Sequence, residues 1–273
     1  MKSIDFSKTA GQYANASLVQ KSASGKLLEL LDIKKTDDVL DLGCGPGDLT
    51  LQIRKLTRGR VTGIDSAEGM ISEARRKHGL SGISFEMRPA EKLGYSGEFD
   101  VIFCNSAFQW FKPPEPVLES CYRALKKNGR MGIQAPAIDS PAIRIPSPNF
   151  AKAIEGIRQD PRTRDVFAHF NDPWVFYDTS EGYKSLFESA GFEVAHSRIE
   201  KVVTSHTPEE VFGIFDTGAA AGYLNQKCYS VPIDESYIEC CRGIVRNSFA
   251  EQAGQNGKVD LTFFRIYLLA RKV

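Results

Sequence analysis

The chain has 273 residues, enough for one sizeable α/β core with room for a smaller appendage. Hydrophobic residues make up 42% and charged residues 25%, the balance of a soluble globular protein. Lys and Arg total 35 against 34 Asp and Glu, and the resulting net charge of +1 excludes a broad electrostatic footprint for nucleic acid or a membrane surface.

No apolar run approaches the ~20 residues of a membrane span. The opening MKSIDFSKTAGQYANAS lacks the apolar core of a signal peptide, so a cytoplasmic protein is expected. Cys44, Cys104, Cys121, Cys228, Cys240 and Cys241 form no C-x-x-C pair, and His78, His169, His196 and His206 form no H-x-x-x-H. Neither a metal nor a disulfide is expected.

Residues 1–36 precede the first strand as an N-terminal helical segment. Leu27, Leu28, Leu30 and Leu31 give it an apolar face. Phe6, Tyr13 and Gln20 recur every seven residues and fall near one side of a helix. Val39-Leu40-Asp41-Leu42 reads as a strand. It turns through Gly43, Cys44, Gly45, Pro46 and Gly47 into an amphipathic helix beginning Leu49-Thr50-Leu51. Strand, glycine turn and helix form the nucleotide-side half of a βαβ unit.

Arg60–Asp65 reads as the second strand and ends on an acid about twenty residues past the glycines, the position beside a ribose in a doubly wound sheet. A carboxylate there accepts two ribose hydroxyl protons. Ser66 opens the next helix. Met70 lies on its inner face, either as an adenine-pocket wall or as plain core. Ile83–Met87 is the third strand, followed by Arg88-Pro89-Ala90-Glu91. Phe99–Cys104 is a nearly continuous apolar run, as suits a strand covered on both faces. It delivers Asn105, Ser106, Gln109 and Trp110 to the carboxyl edge, where open α/β sheets bind ligands.

Pro113-Pro114 opens a helix over 115–125, the run Lys126–Gly129 closes it, and Arg130–Gln134 is the fifth strand. Turn-rich sequence from Pro136 introduces an insertion over 136–178, with Arg158, Arg162 and Arg164 close together. These arginines fit either a solvated face or a carboxylate contact. Thr179 caps a helix, the sixth strand runs from 191 to about 203, and Thr207 with Glu210 forms a capping box. A long helix spans about 234–251 and the seventh strand 258–272. The core is therefore 37–135 and 179–273, with a helical insert at about 205–257.

The spacing Asp41, Gly43, Gly45, Gly47 resembles motif I of the class I S-adenosylmethionine-dependent methyltransferases. It departs from the dinucleotide fingerprint, whose third glycine would fall on Asp48. The opening FSKTAGQYANASLVQ and the run N-S-A-F-Q-W at 105–110 resemble the group containing the malonyl-carrier-protein methyltransferases of biotin synthesis and trans-aconitate methyltransferase. The ending FFRIYLLARK is similar to the latter. The likeness is specific over 39–111 and loose from 136 to 257.

That resemblance implies a Rossmann-like, seven-stranded, mostly parallel sheet with helices on both faces, an antiparallel last strand and a helical lid over 136–178. It implies S-adenosylmethionine as cofactor and S-adenosylhomocysteine as product. The expected cofactor residues are Asp41, Gly43, Cys44, Gly45, Gly47, Asp65, Ser66, Met70, Ala90, Glu91, Asn105, Ser106 and Trp110. Pro89 stands where such enzymes often carry an aspartate near the adenine, which leaves that edge to Ala90 and Glu91. Tyr13, Asn105 and Gln109 are the expected positioning groups, and Tyr13, Trp110, Arg144 and Arg198 the expected substrate contacts.

The expected acceptor is a carboxylate of a small acid or of a carrier-bound acyl group, which is ionised already and needs no base. N- or C-methylation of another metabolite is the alternative within enzymes. An NAD-linked oxidoreductase and a non-catalytic cofactor-binding protein are the alternatives outside it. Oligomeric state is not legible.

Overall fold

A computed structural model describes residues 18–139, 142 and 144–273. Ten helices and seven strands are named here in chain order. The first half runs α1 (Leu18–Leu31), β1 (Val39–Leu42), α2 (Asp48–Leu56), β2 (Val61–Asp65), α3 (Glu68–His78), β3 (Ser84–Met87), β4 (Phe99–Asn105), α4 (Glu115–Ala124) and β5 (Leu125–Ala137). There follow α5 (Pro148–Gln159), α6 (Arg164–Phe167), α7 (Ser180–Ser189), β6 (Phe192–His206), α8 (Pro208–Thr217), α9 (Ala220–Tyr223), α10 (Glu235–Glu251) and β7 (Val259–Lys272).

The strands form a seven-stranded sheet in the order β3-β2-β1-β4-β5-β7-β6, mostly parallel with antiparallel last strands. Order reverses at β1, because β2 lies on one side and β4 on the other. Ligands of open α/β sheets bind beyond the carboxyl ends of the strands at such a reversal. β1 is buried along its whole length, and β4 nearly so, as strands with helices on both faces must be.

Two compact units are present. One holds residues 18–136, Trp174–Glu200 and Arg265–Val273. Its core joins Leu27 and Leu31 of α1 to Val39, Ile53, Val61, Ile71, Val101 and Phe103. A second aromatic cluster packs Phe108 against Phe187 of α7, and Phe187 against Phe192. The other unit holds Ala137–Pro173 and Lys201–Phe264. There Phe150 of α5 meets Phe215 of α8 and Phe249 of α10 at 5.5 and 5.6 Å between ring centroids. The insertion after β5 and the later helical insert are therefore gathered into one unit.

The helix starts follow their capping residues. Ser147, Thr179, Thr207 and Asp234 each accept an N–H from the first turn, and Thr207 with Glu210 completes the reciprocal box. One local expectation fails. Lys126–Gly129 does not close α4, which ends at Ala124. It lies inside β5 as an irregularity, where the register passes from Phe99 opposite Leu125 to Val101 opposite Arg130. Asn128 takes the left-handed conformation there (φ 62), so the turn chemistry was real but was spent on a bulge. Among the described residues, no helix is long and apolar enough to cross a membrane.

Candidate functional site

β1 delivers the chain into a turn whose three glycines all have positive φ: 77 at Gly43, 52 at Gly45 and 84 at Gly47. Two of these positions have different reasons to be glycine. A Cβ on Gly43 would sit 2.4 Å from the Cβ of Ala107, so the bare Gly43 backbone is what lets the Ala107 methyl of the loop after β4 lie against the turn. A Cβ on Gly45 would meet nothing within 4 Å, because the main chain there borders open space. The N–H groups of Gly43 and Cys44 both donate to the Ile64 carbonyl at 2.9 Å, which locks the turn onto β2. α2 then starts at Asp48 and aims its positive dipole end at the space over the turn.

Asp65, the last residue of β2, is tied into the same turn. Its Oδ2 accepts the Gly45 N–H at 3.0 Å and its Oδ1 the Ala67 N–H at 2.9 Å. Burial raises the Asp65 carboxyl pKa, while the backbone donors of Ala67, Gly45 and Ser66 pull it back. A carboxylate offers about four acceptor sites, so capacity remains for a ligand hydroxyl.

Asp41 stands behind the turn. It is 2% exposed and accepts the Thr50 hydroxyl at 2.7 Å. Burial lifts its pKa to about 7, opposed by the Thr50 bond and reinforced by the Asp65 charge. Burial likewise pushes the Cys44 thiol well up.

The facing wall comes from β4. Asn105 ends the strand, and Ser106 follows in the left-handed region (φ 57), unusual for a residue with a Cβ. Four hydrogen bonds hold this pair. The Ser106 N–H donates to the Gln134 carbonyl at 2.7 Å and its hydroxyl to Gln134 Oε1 at 3.0 Å. Gln109 Nε2 donates to the Ser106 carbonyl at 2.9 Å, and Asn105 Nδ2 to the Ser106 hydroxyl at 3.3 Å. A single turn over Phe108–Trp110 closes the loop, and the Val175 N–H donates to the Gln109 carbonyl at 2.9 Å. The Trp110 ring packs on Trp174 at 5.4 Å between centroids.

Turn, β2 end and β4 loop enclose a cleft of about 430 Å³. Gly43, Cys44, Gly45, Asp65, Ser66, Met70, Ala90, Asn105, Ser106 and Trp110 all line it. Asp41, Gly47, Glu91 and Gln109 do not; Asp41 accepts the Thr50 hydroxyl behind the turn, and Gln109 donates Nε2 to the Ser106 carbonyl while its buried Oε1 has no hydrogen-bond partner among the described residues. The walls also include Arg88, Phe111, Gln52 and Lys55, which sequence reading passed over. Gln52 and Lys55 are three apart on one face of α2, and that spacing was a readable signal. Arg88 directly follows Met87, the β3 residue paired with Asp65, so it too stands at a strand end. Its guanidinium bonds Glu86 Oε2 at 2.7 Å and the Leu93 carbonyl at 2.8 Å.

The arginines singled out in the sequence after β5 each have an acid nearby. Arg144 pairs with Asp172 at 3.6 Å, within the unit of Ala137–Pro173 and Lys201–Phe264. Arg158, Arg162 and Arg164 face Glu155, Asp160 and Asp165 at 3.8, 2.7 and 3.4 Å. Arg198 lies 3.7 Å from Glu200 with its side chain 71% exposed. Tyr13 falls outside the described residues.

The cleft suits a nucleoside that also carries a cationic, hydrogen-bond-donating group. Bare main chain at Gly45 allows close approach, and Asp65 sets a carboxylate with remaining acceptor capacity beside it, a group of the kind that can accept from vicinal hydroxyls. Asn105, 8% exposed, keeps its Oδ1 without a hydrogen-bond partner among the described residues. A buried acceptor in that state costs free energy unless a ligand donor meets it.

Comparison with known proteins agrees with that geometry. Residues 33–191 match the family model of the methyltransferase domain. A malonyl-[acyl-carrier protein] O-methyltransferase of Acetivibrio thermocellus is 35% identical over 129 residues, 46% of each chain. The chain thus aligns with about half the length of that relative. A trans-aconitate 2-methyltransferase of Methylobacterium nodulans is 26% identical over 272 residues, 96% of this chain and 97% of its own. Among solved structures, the YcgJ protein of Bacillus subtilis superposes with a TM-score of 0.60 at 16% identity, over 92% of this chain and 98% of that one. A Haemonchus contortus phosphoethanolamine N-methyltransferase 2, held in complex with S-adenosylhomocysteine, gives 0.59 at 15% identity, over 97% of this chain and 57% of its own. The last two likenesses speak to the fold.

Proposed function

The chain belongs to the methyltransferase domain family and is an S-adenosylmethionine-dependent enzyme, and from that premise we propose that it O-methylates a carboxylate of a small acid or a carrier-bound acyl group. The observation that carries the acceptor is the pair of named relatives: one acts on a malonyl group as an O-methyltransferase, the other on trans-aconitate. Both acceptors are carboxylic acids, and the second relative aligns over nearly the whole chain.

When bound, S-adenosylmethionine supplies an electrophilic methyl on its sulfonium. The protein's own share is binding, orientation and exclusion of water. Asp65 holds the ribose through its remaining acceptor capacity, and the Gly43–Gly47 backbone approaches the methionine portion. Asn105 presents Oδ1 to the cationic end. Trp110 and Phe111 wall the cleft with apolar surface. Gln109 acts through the Ser106 carbonyl, and Tyr13 is the N-terminal positioning group. Arg144 and Arg198 stay proposed as substrate contacts; neither lines the cleft, and each has an acid beside it.

A carboxylate fits the titratable groups that line the cleft. Asp65 is tied to the turn, Asp48 faces His78 at 3.2 Å, and Arg88 is held by Glu86. None of these is needed as a base, since an ionised carboxylate attacks without losing a proton. The setting we assign is cytoplasmic, with a small or carrier-bound acid as the partner.

The test is transfer of labelled methyl from S-adenosylmethionine to malonyl thioesters, tricarboxylic acids and small amines. Label recovered as a base-labile ester on a carboxylic acid supports the reading. Label recovered only on nitrogen or carbon overturns it in favour of an N- or C-methyltransferase.

A further inference from the structure

We propose that Gln134 of β5 is a positioning residue that fixes which end of the Asn105 amide faces the cofactor. Gln134 is 2% exposed and does not line the cleft. It reaches the cleft through one intermediary. Gln134 Oε1 accepts the Ser106 hydroxyl proton at 3.0 Å. A hydroxyl has one proton, so with that proton committed only its lone pairs are left for a neighbour. The neighbour is Asn105, whose Nδ2 donates to the Ser106 hydroxyl at 3.3 Å. With Nδ2 engaged there, Oδ1 is the end that remains; it is a buried oxygen without a hydrogen-bond partner among the described residues, as is Gln109 Oε1 on the same loop.

The relay has a direction, and the direction sets chemistry. An amide shows an acceptor at one end and two donors at the other. Presented as Oδ1, Asn105 favours a cationic or N–H-bearing group, which S-adenosylmethionine and S-adenosylhomocysteine both carry as the amino-acid ammonium. Presented as Nδ2, it would repel that group. Were the Gln134 acceptor missing, the Ser106 proton would be free to turn toward Asn105, and the amide would be free to flip. Gln134 also grips the Ser106 N–H with its own carbonyl at 2.7 Å, which holds Ser106 at φ 57, where its hydroxyl stands between the two amides. That backbone bond survives side-chain substitution, so the relay can be cut without unseating the loop.

The proposal rests on the cofactor and not on the acceptor, so failure of the carboxylate reading leaves it standing. It is tested by calorimetric binding of S-adenosylhomocysteine, with thermal unfolding recorded for every variant. Gln134→Met keeps the volume and removes the acceptor; affinity is expected to fall about tenfold or more, the scale of one hydrogen bond to a charged group. Gln134→Glu keeps an acceptor and is expected to retain affinity better than Gln134→Met. Ser106→Gly removes the hydroxyl while easing the backbone, and is expected to lose about as much as Gln134→Met.

The decisive arm is a double-mutant cycle with Asn105→Asp, because a carboxylate has no donor end to flip. In that background Gln134→Met is expected to change affinity less than about twofold. Equal losses from Gln134→Met in both backgrounds would assign Gln134 to packing alone. Unchanged affinity in the single variant would overturn the relay outright.

Discussion

The Gly45 N–H and the Asp65 carboxylate meet at 3.0 Å across the gap between β1 and β2. That bond joins the two features on which the proposed cofactor site is built. It presses a bare stretch of backbone against the acid at the end of β2, so the turn and Asp65 are set as a unit. The Ala67 N–H completes the arrangement from the other side at 2.9 Å. Both carboxylate oxygens are thus oriented by the protein, so under the proposed pose a ribose would bind without rearranging the acid.

The glycines of the turn separate stability from binding. Gly43→Ala puts a methyl 2.4 Å from the Ala107 Cβ at a positive φ, and should cost about 2–4 kcal/mol of folding stability. Gly45→Ala meets no protein atom within 4 Å, so its folding cost should be only the ~1 kcal/mol of a left-handed backbone. Its methyl enters the ligand's space, and cofactor affinity should fall by about tenfold or more. Denaturant melts and calorimetry on the two variants check this; equal folding losses would be inconsistent with the geometry.

Asp41 gives a pH-dependent prediction whose sign is fixed. The folded chain keeps the Asp41 proton up to about pH 7, whereas an ordinary aspartate releases it near 3.8. Between those values the native state binds more protons than the unfolded state, so this residue makes stability fall as pH rises. Asp41→Asn keeps an acceptor for the Thr50 hydroxyl and removes the ionisation. Its stability relative to the unsubstituted protein should therefore rise from about pH 4 to about pH 7 and level off above. Parallel stability curves across that range would contradict the assignment.

Local patterns carried the cofactor half of the molecule. Period and glycine spacing are short-range signals, and between Val39 and Trp110 they marked each strand and the residues at its carboxyl end. Asp65 and Asn105 were placed in the cleft by that reasoning alone. Sequence marks Gln109 as a positioning group but not how it is aimed: its Nε2 sits on the Ser106 carbonyl, and side-chain direction within a tight loop leaves no periodic trace. Lys126–Gly129 misled because the same residues serve helix ends and strand bulges. The gathering of α5, α8 and α10 around Phe150 joins residues about a hundred positions apart, and nothing local encodes that partnership.

Trp174 tests how the β4 loop is held. The residue is 5% exposed and its ring lies 5.4 Å from that of Trp110. Trp174→Ala should destabilise the fold by ~3 kcal/mol or more, the scale for emptying a buried aromatic site. It should also loosen Trp110, raising KM for the methyl acceptor more than the Kd of S-adenosylhomocysteine. Tryptophan fluorescence and steady-state kinetics report the two effects. A variant with unaltered stability and KM would remove Trp174 from this role.

The central claim is that S-adenosylmethionine lies in the cleft with its ribose on Asp65, and calorimetry of wild-type protein and Asp65→Ala tests it most directly. The wild type is expected to bind S-adenosylmethionine and S-adenosylhomocysteine but not NAD. Asp65→Ala should bind both ligands weaker by ~2 kcal/mol or more, the loss of charge-assisted hydrogen bonds. Unchanged affinity in Asp65→Ala, or binding of NAD without S-adenosylmethionine, would contradict the account.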